Sequence, residues 1–184
     1  MARPLEFDRC EAVKKAKVVF HRNGYEATSI DDLTTALGIS RASLYNTFGD
    51  KHGLLMATLD AASQEGEQVR ENACGRQCGT KKIVREMFEA LAERRNEGCY
   101  LLTLGAELSN SDPEVQKRVQ ASLEMSWKLF ADLVKRDKSL SKKQVEAKAA
   151  VLLGAMVSIL TLTRVHPDPV LLGSVIEQSL TVLD

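Results

Sequence analysis

Three glycines constrain this chain more than any other feature. Gly24, Gly38 and Gly49 each close a short stretch in which apolar residues recur at helical spacing. In the first stretch Ala12, Val13, Ala16, Val19 and Phe20 form one stripe, which stops at Asn23-Gly24, a helix C-terminal signal. Ser29, followed three residues later by Asp32, has the spacing of a capping box, and Ile30, Leu33 and Leu37 continue it to Gly38. Ser40 offers the next N-cap, with Leu44, Tyr45 and Phe48 before Gly49. Two short helices joined by Gly38-Ile39-Ser40 make a helix-turn-helix. The second, about Ser40 to Thr47, is too short to be stable alone and must be held through Leu44 and Phe48. Its other face then presents Arg41, Ala42, Ser43, Asn46 and Thr47. Such a face suits a DNA major groove. Arginine pairs with guanine and asparagine with adenine, and an alanine or threonine methyl touches that of thymine.

The rest of the chain is also read as helical. No window sustains the period-2 alternation of a strand. Asp50 can cap a longer helix to about Asn72, and Cys74 to Thr80 reads as a glycine-containing loop. Amphipathic stretches follow over Lys81–Arg95 and Cys99–Leu108. Asp112-Pro113 opens a helix to about Arg136, Ser141 with Gln144 opens one to about Val165, and Asp168-Pro169 opens the last. The expectation is an all-α protein of about nine helices. Residues 1–50 are expected to form the helix-turn-helix domain and residues 51–184 a second helical domain. The apolar run from Ala149 to Leu162 is interrupted by Gly154, Ser158 and Thr161. It is shorter than the ~18–20 residues of a membrane span, so no membrane partner is expected. The first ten residues lack the apolar core of a signal peptide, and four cysteines in 184 residues do not form a disulfide framework. A cytoplasmic protein with reduced thiols is expected.

The run Gly24-Tyr25, Ala27-Thr28-Ser29-Ile30, Leu33, Ala36-Leu37-Gly38-Ile39-Ser40, Leu44-Tyr45, Phe48, Lys51, Leu54-Leu55 resembles the DNA-binding domain of TetR-like (TetR/AcrR) repressors. The likeness extends over nearly all of residues 9–56. It implies that Tyr45 and Lys51 hold phosphates, as do Thr28 and Ser29 at the start of the second helix, and that Ser40 to Thr47 form the reading helix. Some family members place a cation at the position of Asp31; here the residue is acidic, so no DNA contact is expected from it. Arg3, before Pro4, is a candidate minor-groove arm. A second likeness, from Gly98-Cys99 to Asp112-Pro113-Glu114, is to a sub-group that includes thiol-reactive electrophile sensors.

The family also implies an effector cavity and a dimer built from the last two helices of each subunit. Met87, Phe88, Leu91, Cys99, Leu104, Trp127, Phe130 and Met156 are the candidate pocket residues, since methionine and aromatic side chains line adaptable apolar sites. Each would serve equally as bundle core. Cys99, at a helix start, is a candidate thiol sensor because a helix N-terminus favours thiolate; the alternative is a small buried hydrophobe. Cys74 and Cys78 lack the further His or Cys of a zinc site, so no metal is expected.

The function expected is an effector-released repressor that binds a palindromic operator as a dimer. A repressor switched covalently through Cys99 is one alternative, and a helical interaction protein that does not bind DNA is another. No Gly-rich phosphate loop, HExxH or GxSxG is present, so no enzyme and no cofactor are expected. The 25 Lys+Arg balance 25 Asp+Glu, which excludes a strongly basic binder. Residues 1–51 carry eight basic and seven acidic residues, so any phosphate grip comes from a few placed groups, doubled in a dimer.

Overall fold

A computed structural model describes residues 7–93 and 98–184. Arg3, and the expected helix end at Arg95, lie outside the described residues. Within them the chain forms nine α-helices, a final 3-10 turn and no strand: α1 (Arg9–Asn23), α2 (Ile30–Leu37), α3 (Arg41–Phe48), α4 (Lys51–Gly75), α5 (Thr80–Ala92), α6 (Tyr100–Leu108), α7 (Pro113–Val134), α8 (Lys142–Val165) and α9 (Pro169–Leu180).

The helix starts follow the local chemistry of the sequence. Both capping boxes form, Ser29 with Asp32 and Ser141 with Gln144. The Asp112 side chain accepts from the N–H groups of Glu114 and Val115, and that of Asp168 from Val170 and Leu171. Gly38 ends α2 in the left-handed region at φ 70°, where a residue with a β-carbon would be strained. One boundary differs from expectation. α4 runs on through Cys74 to Gly75, so the loop before α5 is shorter than Cys74 to Thr80. The guanidinium of Arg136 donates to the carbonyls of Cys74 and Arg76, satisfying groups that the end of a helix leaves unpaired.

Packing divides the chain into two compact units. The first comprises the chain to Glu65 together with Tyr100–Val119, and the second Gly66–Cys99 together with Gln120–Asp184. Hence α6 and the first turns of α7 pack with the N-terminal helices. Buried Leu101, Leu104, Leu108 and Val115 hold these turns there, and two carboxylates add to them. Glu107 of α6 accepts from the backbone N–H groups of Tyr25 and Glu26 at 3.0 and 2.8 Å. Asp112 meets His52 Nε2 at 2.8 Å. Burial opposes ionisation of Asp112, but the Val115 N–H, the imidazole of His52 and the Glu114 N–H outweigh it and hold the carboxyl below its usual range. In the same unit α1 packs on α2 and α6, and α2 on α3. Burial pushes the phenol of Tyr100 well above its ordinary pKa, and its hydroxyl lies 2.5 Å from that of Thr58.

The second unit has its own core. Ile83, Val84 and Phe88 of α5, Phe130 and Leu133 of α7, Leu152 and Ile159 of α8 and Ile176 and Leu180 of α9 belong to one buried cluster. α5 packs on both α8 and α9, which also pack on each other. α8 is apolar on two sides. One row, Val145, Ala149, Leu152, Ala155 and Ile159, is buried. Another, Ala147, Ala150, Val151, Gly154, Ser158 and Thr161, is exposed and made of small side chains. Because both sides are apolar, Lys142–Val165 is long and apolar enough to cross a membrane by length and composition, which corrects the reading of the shorter run Ala149 to Leu162. Burial of one row in this core accounts for part of that apolarity.

Candidate nucleic-acid interface

The third helix is built to present one face. Leu44 and Phe48, four residues apart, are buried and anchor it. Arg41, Ala42, Tyr45 and Asn46 are exposed, and their spacing puts them on one side of the helix. Ser43 and Thr47 flank this face and are half-buried. The Ser40 side chain accepts from Ser43 N–H at 3.0 Å and meets the Ser43 hydroxyl at 2.9 Å, which fixes the first turn. Thr47 Oγ1 is buried without a hydrogen-bond partner among the described residues. Arg9 lies over the Phe48 ring, 5.4 Å from its centroid, and so ties α1 to the end of α3.

Arg41 is not a loose side chain. Its Nε and Nη2 donate to Asp31 at 2.9, 2.6 and 2.7 Å. The acid expected to take no part in the interface therefore holds the arginine expected to read a base.

Thr28, Ser29 and Lys51, the residues expected to hold phosphate, each have partners within the subunit. Thr28 is buried, and its hydroxyl donates to the carbonyl of Gly24 at 2.5 Å, so it points into the protein. The Ser29 N–H and hydroxyl both donate to Asp32, at 2.9 and 2.6 Å. The start of α2 thus carries an internal carboxylate, which the positive end of the helix stabilises. Lys51 Nζ donates to the carbonyls of Tyr25 and Thr28, each at 3.0 Å, and sits 4.2 Å from the centroid of the Tyr25 ring. It closes the α1–α2 turn from within. Burial, followed by the charges of Asp50, Glu26 and Asp112, raises the pKa of Tyr25.

This geometry has a direct consequence. Lys51→Ala should cost about 2–3 kcal/mol of stability, since two charge-assisted hydrogen bonds and a cation–π contact go together. The salt slope of DNA binding should flatten by less than the one unit per subunit that a bare phosphate ligand would give. Urea denaturation and a salt titration separate the two effects. A full unit of slope lost at unchanged stability would show that Lys51 is a phosphate ligand and not a clamp.

The candidate effector residues are divided between the two units. Phe88 and Phe130 are fully buried and meet edge-on at 5.8 Å, while Met87, Leu91, Trp127 and Met156 are half-buried against the same core. Leu104 is buried in the first unit, and Cys99 is half-buried immediately before α6. An open hollow of about 330 Å³ in the second unit is lined instead by Glu89, Ala92, Glu93, Pro169, Leu172, Gly173 and Ile176.

Residues 12–58 match the family described as bacterial regulatory proteins, tetR family. The chain is 27% identical to the uncharacterized HTH-type transcriptional regulator YezE of Bacillus subtilis, with all of both proteins covered. It is 48% identical to the HTH-type transcriptional repressor ComR of Escherichia coli over 130 residues, which is 65% of this chain and 60% of that one. Among solved structures it is similar to a cysteine mutant of the TetR family transcriptional regulator CifR in complex with a 26-bp double-strand operator DNA. That likeness has a TM-score of 0.83 and 26% identity, and covers 97% of this chain and 98% of the other. Residues 12–58, which hold the helix-turn-helix, therefore belong to the tetR family of bacterial regulatory proteins, and the whole chain is similar to regulators of that family.

Proposed function

We propose that the protein is a cytoplasmic, ligand-responsive repressor that binds a palindromic operator as a homodimer and is released by a small-molecule effector. The observation that carries this reading is the α3 face of Arg41, Ala42, Tyr45 and Asn46, held outward by buried Leu44 and Phe48. A rigid helix with small and polar groups outward lies in a major groove, and a two-fold dimer places two such helices on half-sites one or more turns apart. Tyr45, exposed beside the reading face, is positioned for a phosphate. Residues 1–50 carry the DNA-binding function and residues 51–184 the effector and dimer functions.

Dimerisation uses the exposed small-residue row of α8 together with Val170, Leu171 and Ser174 of α9. The effector enters beside the half-buried Met87, Leu91, Trp127 and Met156 and displaces Phe88 or Phe130, which leave no room as they stand. Effector and operator must then weaken each other by the same factor. α4 and α7 each begin in the first unit and end in the second, so both are candidates to carry the effect of the effector to the reading helix.

The test is a gel shift with the full-length protein on the DNA upstream of its own gene. We expect a palindrome to be retarded as one dimeric complex at moderate salt. A folded protein that retards no duplex from that region even at low salt would refute operator binding.

A further inference from the structure

We propose that Asp31 is a specificity-determining residue: it fixes the guanidinium of Arg41 so that the arginine reads a single guanine in each half-site. The inference rests on the operator-binding reading above. Asp31 Oδ1 accepts from both Nε and Nη2 of Arg41, and Oδ2 accepts from Nη2. The carboxylate therefore occupies the Nε–Nη2 side of the guanidinium. Among the described residues Nη1 has no partner, and one Nη2–H is directed away from Asp31 by the planarity of the group. What remains free is the end of the fork, two parallel N–H donors spaced to meet the O6 and N7 acceptors of guanine. No other base presents two acceptors there. Adenine would set its amino group against one donor, and the pyrimidines lack the N7 acceptor.

The placement argues against a merely stabilising ion pair. The Arg41 and Asp31 side chains are 63% and 68% exposed, and such pairs contribute little to folding. Asp31 stands in the first turn of α2, where the helix dipole favours a carboxylate, so the anchor is itself held. Arg41 stands in the first turn of α3, at the end of the reading face. A free arginine has four side-chain torsions to fix on binding and can slide to a phosphate instead. Pairing with Asp31 removes both options before DNA arrives. It also cancels the charge of Arg41, so the pair adds discrimination without general affinity for the phosphate backbone. The near-neutral N-terminal segment fits such a reader.

The experiment uses full-length wild type, Arg41→Ala and Asp31→Ala. Each selects from a randomised duplex library and is then titrated against the wild-type operator with every base pair exchanged in turn. Wild type should require one guanine per half-site, with a penalty of roughly 10- to 100-fold for its loss. Arg41→Ala should abolish that requirement. Asp31→Ala should reduce it by about 3- to 10-fold, leave the other positions and the melting midpoint unchanged, and raise binding to random duplex at low salt. A pair that only stabilised the fold would shift the midpoint or weaken all positions alike. Undiminished guanine preference in Asp31→Ala overturns the inference while leaving operator binding intact, as does a half-site in which no guanine responds to Arg41. Wild type selecting no duplex at all would instead overturn operator binding, and this role with it.

Discussion

Gly53→Ala should destabilise the first unit, although alanine ordinarily favours a helix. Gly53 is the third residue of α4, and a β-carbon placed on it would lie 1.9 Å from the carbonyl oxygen of Phe48. That oxygen belongs to the last residue of α3, so backbone would collide with backbone and no rotamer change relieves it. The chain turns from the reading helix into α4 over Gly49 and Asp50 alone. Asp50 fastens the turn by accepting from the Gly53 N–H at 2.7 Å. Alanine must push α3 and α4 apart, disturbing both the Asp50 cap and the buried side of Phe48. Overpacking of this kind costs about 3 kcal/mol or more, against a gain in helix propensity of about 1 kcal/mol. For a chain of this size that lowers the melting midpoint by roughly 6–12 °C. Operator affinity falls with it, because the base-reading face changes direction. Calorimetry of the purified variant measures the effect, and a midpoint within a degree of wild type would show that the turn can yield without cost.

The contrast between Gly53 and the three glycines that punctuate the N-terminal helices shows what the sequence made legible. Gly24, Gly38 and Gly49 follow apolar stripes and precede caps, so local spacing announces them, and the helices they end lie where expected. Gly53 sits inside a helical pattern, and its reason is an oxygen five residues back that only the folded turn brings near. Glu107 is a stronger case. In sequence it is an acid near a helix end, yet it binds the Tyr25 and Glu26 N–H groups some 80 positions away and helps place α6 in the first unit.

The candidate interface divides in the same way. Helical periodicity places Arg41, Ala42 and Asn46 outward, as found, but it also puts Ser43 and Thr47 there, which are half-buried, and groups exposed Tyr45 with the apolar Leu44 and Phe48. The directions of Thr28, Ser29 and Lys51 could not be read from spacing, because a hydroxyl or ammonium at the right position serves a buried carbonyl as readily as a phosphate. Nor could the state of the effector region be read. Methionines and aromatics at helical spacing mark a core, but whether that core is closed depends on packing, and here Phe88 and Phe130 close it. The pairing of Asp31 with Arg41 is likewise a product of the fold, which brings the two together across the turn of the helix-turn-helix.

Gly154→Arg should break the dimer without unfolding the subunit. Gly154 lies in the middle of the exposed row of α8, between Ala147, Ala150 and Val151 on one side and Ser158 and Thr161 on the other. Within the subunit a β-carbon at this position meets nothing within 4 Å, so a longer side chain has room and the fold tolerates it. The need for a partner is visible in what the row and its surroundings expose: Val151 is 50%, Val165 69% and Val170 79% accessible. Small residues along such a row let two helices approach closely, and a contact about a two-fold axis presents the same patch from both subunits. One substitution therefore introduces two arginines, which must be desolvated near each other where only small side chains fitted. Like charges brought together there shift the equilibrium towards monomer by at least about 100-fold. Operator affinity then falls by roughly 10²- to 10⁴-fold, because each reading helix loses the effective concentration that its tether to the other provides. Sedimentation at micromolar concentration should report a 20.3 kDa species with an unchanged helical spectrum. A variant that remains dimeric would place the subunit contact away from this row. A variant that becomes monomeric yet holds the operator as tightly as wild type would show that the two reading helices do not act together.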